Sequence, residues 1–160
     1  KGRVSMEKRN VAGISEKSIV TAAPDTSVFD LIDMMVEHDV AVSHIVRDDG
    51  ALAGIVPEAA LVYKKVKPHM SHYSALLGEN VYYNGMNEYE KGYQKKMACN
   101  AKELMTTDVV VASPKATVEQ IAGIMVSEHL KLIPVIDDNR LVGLVTRRHI
   151  LNELYKEYNG

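Results

Sequence analysis

Tryptophan is missing from this chain of 160 residues, and phenylalanine and cysteine occur once each. The lone Cys99 cannot form an internal disulfide, and a single cysteine fits a reducing, cytoplasmic compartment. Neither sign of charge dominates. The formal net charge is -2, without the basic face that nucleic acid normally requires. No apolar run approaches the ~20 residues of a membrane span, and no signal-peptide pattern is present. The chain opens on Lys1, with Met6 close behind, which fits either a short added lead or a piece of something longer. No nucleophile–base pair, paired catalytic carboxylates, Walker loop or Gly-x-Gly-x-x-Gly stretch is visible, so the expectation is a protein that is not an enzyme.

What is present is a repeat. Ile19 to Pro24 is echoed by Val109 to Pro114, about 90 residues later. Val28, Leu31, Met35 and Val36 return as Val118, Ile121, Met125 and Val126, and Leu52-Ala53-Gly54-Ile55-Val56 returns as Leu141-Val142-Gly143-Leu144-Val145. Two copies are too few for a solenoid, in which three or more units stack. With 46% hydrophobic residues, a duplicated unit that buries its apolar face against its twin is the better reading.

Each copy opens on a β-branched run, Ser18 to Ala22 and Asp108 to Ala112, predicted as a strand. Ser27 and Thr117 stand three residues before Asp30 and Gln120, the spacing of a capping box. Apolar residues then recur at helical spacing to about His38 and Glu128. Val42 to Val46 turns through Asp48-Asp49-Gly50 into Leu52 to Val56; Leu132 to Ile136 turns through Asp137-Asp138-Asn139 into Leu141 to Val145. Second helices are expected from about Glu58 to Lys67 and Arg147 to Tyr158. The predicted fold class is α/β, with the order strand, helix, strand, strand, helix twice over.

The stretch Ala101-Lys102-Glu103-Leu104-Met105-Thr106-Thr107-Asp108-Val109-Val110, with Pro134-Val135-Ile136-Asp137-Asp138 and Gly143-Leu144-Val145-Thr146-Arg147-Arg148-His149, resembles a CBS domain. The first copy is similar by being its repeat. The resemblance implies a tandem CBS pair, or Bateman module, of two βαββα repeats related by pseudo-two-fold symmetry. Repeat 1 spans 11–67, a Tyr-rich and helical insert 68–97, and repeat 2 98–158.

It further implies a non-catalytic regulatory module, requiring no cofactor. An adenosine-containing ligand (AMP, ADP, ATP or S-adenosylmethionine) would bind in the cleft between repeats and report energy or metabolite status to a partner enzyme or transporter. Two such pairs commonly form a homodimer through their helices. The rival reading is a structural dimerisation module whose nucleotide site has decayed. The family contact is a Gly-apolar-apolar-Thr/Ser-x-x-Asp stretch from the last strand into the last helix. Here Gly143 and Thr146 match, while His149 stands in place of the Asp. A Thr at that point can cap the helix, and the helix start can hold a phosphate, with Arg147 and Arg148 adding positive charge. By family position Thr107, Val109, Val110, Leu132, Ile133 and Pro134 line the adenine, and Lys131 can reach a phosphate. In copy one Gly54 is retained, but Pro57 and Ala60 replace the Thr and the Asp, leaving one plausible site and one degenerate one.

The insert carries five of the eight tyrosines, Tyr73, Tyr82, Tyr83, Tyr89 and Tyr93, suited equally to an interface or to covering its own core. His69 and His72 form a His-x-x-His pair, but zinc needs three or four ligands and no third is evident, so no metal is expected.

Overall fold

A computed structural model describes residues 10–62 and 99–159 of the chain. The insert, His69 and His72 lie outside the described residues, as does the expected end of the helix beginning at Glu58. Contacts divide the chain into two units that cut across the sequence repeats. Unit 1 contains residues 10–19, 47–52 and 108–159; unit 2 contains 20–46, 53–62 and 99–107.

In unit 2 the chain forms β1 (Thr21–Ala22), α1 (Val28–Glu37), β2 (Val42–Val46), β3 (Leu52–Pro57) and α2 (Glu58–Val62), joined later by α3 (Ala101–Leu104). The strands lie in the order β1-β2-β3. β1 runs parallel to β2, with Thr21 opposite His44 and Ala22 opposite Ile45. Ser27 starts α1 from an extended conformation, its hydroxyl accepting the Asp30 N–H at 3.1 Å. The helix stops at His38, after which Asp39 adopts a positive φ of 52°. Val28, Leu31 and Met35 form its buried face, and Leu31 packs with Ile45, Ala53, Val56 and Ala101.

Unit 1 repeats the plan. A 3-10 turn (Val11–Gly13) precedes α4 (Val118–Ser127), β4 (Leu132–Asp137), β5 (Arg140–Thr146) and α5 (Arg147–Asn159). Thr117 and Gln120 complete a reciprocal capping box, whereas at α1 only the serine half forms. β4 and β5 are antiparallel, with Leu132 opposite Thr146, Pro134 opposite Leu144, and a bulge between Val135 and Ile136. Asp138 and Asn139 take positive φ of 49° and 62° in the turn, the conformation expected of those residue types. Val118, Ile121 and Met125 face Ile133, Val135, Val145 and Ile150 in the core, each such buried side chain contributing about 1.5–3 kcal/mol.

The opening runs of the two copies depart from expectation. Instead of five-residue strands they give β1, of two residues, and a single parallel bridge from Ala112 to Val135. Both runs lie at a change of unit, which falls within the first and at the start of the second. Glu16 exchanges both backbone hydrogen bonds with Leu144 (2.8 and 2.9 Å), inside unit 1, before the chain enters unit 2 at Val20. Thr106 does the same with Ile55 (2.8 and 3.0 Å), inside unit 2, before the chain enters unit 1 at Asp108. Each repeat thus lends its leading segment to the unit built mainly from the other. The tip of the first hairpin also belongs to unit 1, where the Gly50 carbonyl accepts the Leu141 N–H at 3.0 Å.

Candidate functional site

The strand β5 passes into the helix α5 without a loop, and the hinge between them is Thr146. Its Oγ1 accepts the backbone N–H of His149 at 3.3 Å, and its own N–H donates to His149 Nδ1 at 3.0 Å. This is a reciprocal capping arrangement with imidazole in the role that Glu or Gln ordinarily fills. A ring nitrogen that accepts cannot carry a proton, so in the neutral ring the hydrogen is on Nε2. That N–H has no partner among the described residues.

Arg147 is held twice. Its backbone N–H donates to the Lys131 carbonyl at 3.0 Å, and its Nε donates to the Leu130 carbonyl at 2.8 Å. Arg147, though exposed, is therefore a clamp between the start of β4 and the start of α5. Lys131 and Arg148 are exposed, while Thr146, His149 and Leu132 are half-buried. Thr146, Arg147, Lys131, Leu132 and His149 thus converge where β4 begins and β5 ends.

Three of the expected ligand residues have surroundings of their own. The side chain of Ile133 is fully buried in the core of unit 1, because alternation along β4 turns it and Val135 inward. Gly143 is buried, and a Cβ there would stand 2.7 Å from Ser15 Oγ and 3.0 Å from Ser15 Cβ. A side chain there would press on the lent segment, whose Glu16 pairs with Leu144. Thr107 is exposed and is the last residue of unit 2 before the chain enters unit 1. Val109 is half-buried, Val110 is exposed, and neither lies in a strand. Pro134 is buried, its carbonyl accepting the Ala112 N–H at 2.9 Å.

The corresponding place in unit 2 has the same backbone and the opposite chemistry. Glu58 N–H donates to the Ala41 carbonyl at 2.8 Å, as Arg147 does to Lys131. Glu58, Ala59 and Ala41 stand where unit 1 has Arg147, Arg148 and Lys131. Ser43 and His44 replace Ile133 and Pro134; Ser43 Oγ and His44 Nε2 are buried without a hydrogen-bond partner among the described residues. Burial pushes the His44 imidazole down to about 4, since the charged ring cannot be solvated there. A cavity of about 390 Å³ in this unit is lined by Ile32, Met35, Val40 and Leu61 with Asp39 and Glu58. It lies against α1 and α2, and Glu58, the counterpart of Arg147, is part of its lining.

The imidazole cap and the Arg147–Leu130 bond were not legible beforehand. A Thr-x-x-His spacing signals a cap only weakly, and the arginine's partner is a backbone carbonyl. The pairing of Ser15 with Gly143 had a faint signal: Val11 and Ala101, both fully buried, continue the repeat at the same offset. Among the described residues no cluster of three His, Cys, Asp or Glu could hold a metal ion, and no helix is long and apolar enough to cross a membrane.

Fold and site define a tandem pair of one α/β unit with its strand-to-helix junctions differently equipped. The CBS-domain pattern matches residues 11–66 and again 101–156. The chain belongs to the CBS-domain family. It is 26% identical to the uncharacterized protein MJ1426 of Methanocaldococcus jannaschii, over 95% of this chain and 99% of that one. It is also 26% identical to the chloroplastic CBSX2 of Arabidopsis thaliana, over 80% of this chain but only 55% of that protein's length. Among solved structures, CBSX2 in complex with AMP superposes with a TM-score of 0.70 at 21% identity, covering 92% of this chain and 97% of that one. The CBS pair of MJ0100, in complex with 5′-methylthioadenosine and S-adenosylmethionine, gives 0.63 at 21% identity, covering 92% and 97%. At such identities the likeness is one of fold.

Proposed function

We propose that the chain is a non-catalytic sensor of an adenosine-containing ligand, held in unit 1 around the start of α5. The observation that carries this reading is the convergence of Thr146, Arg147 and Lys131 on a helix N-terminus, with Leu132 beside them. Backbone N–H groups and the helix dipole favour an anion there, and the two cations reinforce that preference. The complexes of CBSX2 with AMP and of MJ0100 with adenosine sulfur compounds support an adenosine ligand. Leu132, Pro134, Val109 and Val110 are the candidates to pack against the base. Such a ligand shifts the chain or its partner only through unequal affinity for two states, and the partner is proposed to be a metabolic enzyme or a transporter.

A second reading has its own observation. Phe29 and Val36 on α1, Val126 on α4, and Leu151, Tyr155 and Tyr158 on α5 are exposed apolar residues on helices. They favour homodimerisation through helical faces, with or without a ligand. Thermal shift with AMP, ADP, ATP and S-adenosylmethionine separates the two. At 100 times its dissociation constant a ligand adds about 2.7 kcal/mol of stability. No shift with any of the four, together with a dimer by light scattering, leaves only the structural reading.

A further inference from the structure

We infer that the cleft between α1 and α2 in unit 2 is a docking site for a basic amphipathic helix of a partner protein. The inference concerns unit 2 alone and does not depend on the adenosine site. The first observation is an apolar opening with uncompensated charge. The cavity of about 390 Å³ is lined by apolar side chains except for Asp39 and Glu58. Both carboxylates are exposed, and neither has an ion-pair partner among the described residues. The second is a reversal of sign on a shared backbone. Asp39 corresponds to His129 and Glu58 to Arg147. Asp39 and His129 both follow their helix at a positive φ, 52° and 55°, and donate their backbone N–H to the Val36 and Val126 carbonyls. In unit 1 the Arg147 Nε crosses to the Leu130 carbonyl at 2.8 Å. A carboxylate has no proton to donate, so Glu58 cannot bridge to the equivalent Val40 carbonyl, and Val40 lines an open cleft instead.

The third observation is continuity. Phe29, the chain's only phenylalanine, and Val36 are 60% and 76% exposed. With Ile32 they follow the i, i+3, i+7 spacing of one helix face, and Ile32 and Val36 also line the cleft. Asp33, one turn from both Phe29 and Val36, is exposed beside them. An apolar stripe that runs on past the cavity suits an extended occupant better than a small molecule. Charge decides its chemistry. Residues 20–46 hold Asp25, Asp30, Asp33, Glu37 and Asp39 and no lysine or arginine. Two copies meeting here through the same face would set these carboxylates against themselves, at a cost in affinity. A partner helix with an apolar face would cover Phe29, Ile32 and Val36, the helix-in-groove mode, while its lysines or arginines pair with Asp33, Asp39 and Glu58. The apolar faces of α4 and α5 remain available to a homodimer.

The test uses the whole chain and a labelled synthetic peptide of leucine and lysine, with leucine at helical spacing, read by fluorescence anisotropy. The comparisons are the same peptide with glutamate for lysine, and hexylamine as a free amine. Only the leucine–lysine peptide should bind. Asp39→Asn and Glu58→Gln should each weaken it about 2- to 5-fold, the worth of an exposed ion pair, and Val36→Ser roughly 10-fold. A charge control in unit 1, Asp48→Asn with Glu157→Gln, should leave affinity unchanged. All five positions are exposed, so circular dichroism should stay the same throughout. No binding of the leucine–lysine peptide, equal binding of the glutamate peptide, or an equal loss in the charge control overturns the docking site. Hexylamine binding that Glu58→Gln weakens, without peptide binding, makes the cleft a site for a small cation and overturns the protein partner. A mass that falls from two chains to one on Val36→Ser gives the face to a second copy and overturns it as well. None of these outcomes bears on nucleotide binding in unit 1.

Discussion

Replacing Gly54 and Gly143 by alanine tests the lent segments directly, because the two equivalent glycines meet different neighbours. A Cβ on Gly54 would stand 2.7 Å from the Thr106 carbonyl oxygen and 2.9 Å from Met105 Cγ and Sδ. That carbonyl is fixed by accepting the Ile55 N–H at 3.0 Å, so relief means moving backbone. Overpacking costs about 1–3 kcal/mol, weakening the bridge adds about 1, and the stiffer unfolded chain returns about 0.4–1. Gly54→Ala should therefore lose roughly 2–3 kcal/mol, or roughly 4–12 °C in Tm at this size. At Gly143 the nearest atom is Ser15 Oγ, which can rotate away by giving up its 2.7 Å bond from Lys17 Nζ. The remaining 3.0 Å approach to Ser15 Cβ needs a shift of tenths of an ångström, and the net loss should be about 1 kcal/mol. Urea denaturation of both variants supplies the comparison. Ser15→Gly removes both close atoms, so combined with Gly143→Ala it should cost less than the two changes summed. Nucleotide affinity should survive Gly143→Ala. A larger loss at Gly143 than at Gly54, or strict additivity with Ser15→Gly, would refute the account of these glycines.

Thr146→Ala should lower stability by about 1 kcal/mol through the lost cap and weaken a phosphate ligand roughly 10- to 100-fold; calorimetry that finds only the stability loss leaves Thr146 as a cap alone. His44 titrates at about 4 in the folded chain against 6.5 in its ordinary state, so the unfolded chain holds more protons between those values. Its share of stability, about 3 kcal/mol, is complete above pH 6.5 and lost as pH falls toward 4. His44→Leu should flatten the stability profile in that window, and an unaltered slope would contradict the burial argument. Pro57→Thr alone should create no second nucleotide site, because Glu58 and Ala60 still present a negative charge and a bare methyl; a doubled stoichiometry in titration would count against this. Light scattering should give about twice the 17.7 kDa chain mass, and a mass of one chain at micromolar concentration would exclude the helical dimer.

Local order was legible in the residues because neighbouring groups enforce it. Thr117 and Gln120 bring their capping partners within three positions, and the apolar spacing of Val118, Ile121 and Met125 selects one helix face. Asp138 and Asn139 tolerate the positive φ that a short hairpin demands. Those terms act over one or two turns of chain, so they can be read without knowing what lies opposite. The duplicated pattern likewise announced two copies of one unit, and the missing hydroxyl at Pro57 announced their inequality.

What the tertiary structure alone decided is which segment meets which. Glu16 and Thr106 bind through backbone groups that every residue carries, so nothing in their side chains marked Leu144 and Ile55 as partners. A bare backbone at Gly143 suits a bound molecule as well as a crossing strand, and the approach of Ser15 to it is visible only in the tertiary structure. Ile133 could have faced a base or the core, and the register of β4 against β5 turned it inward. His149 could have donated or accepted toward a ligand. The 3.0 Å bond from Thr146 N–H to Nδ1 reserved one nitrogen for the helix and left the other as a donor, a choice made by geometry rather than by residue type.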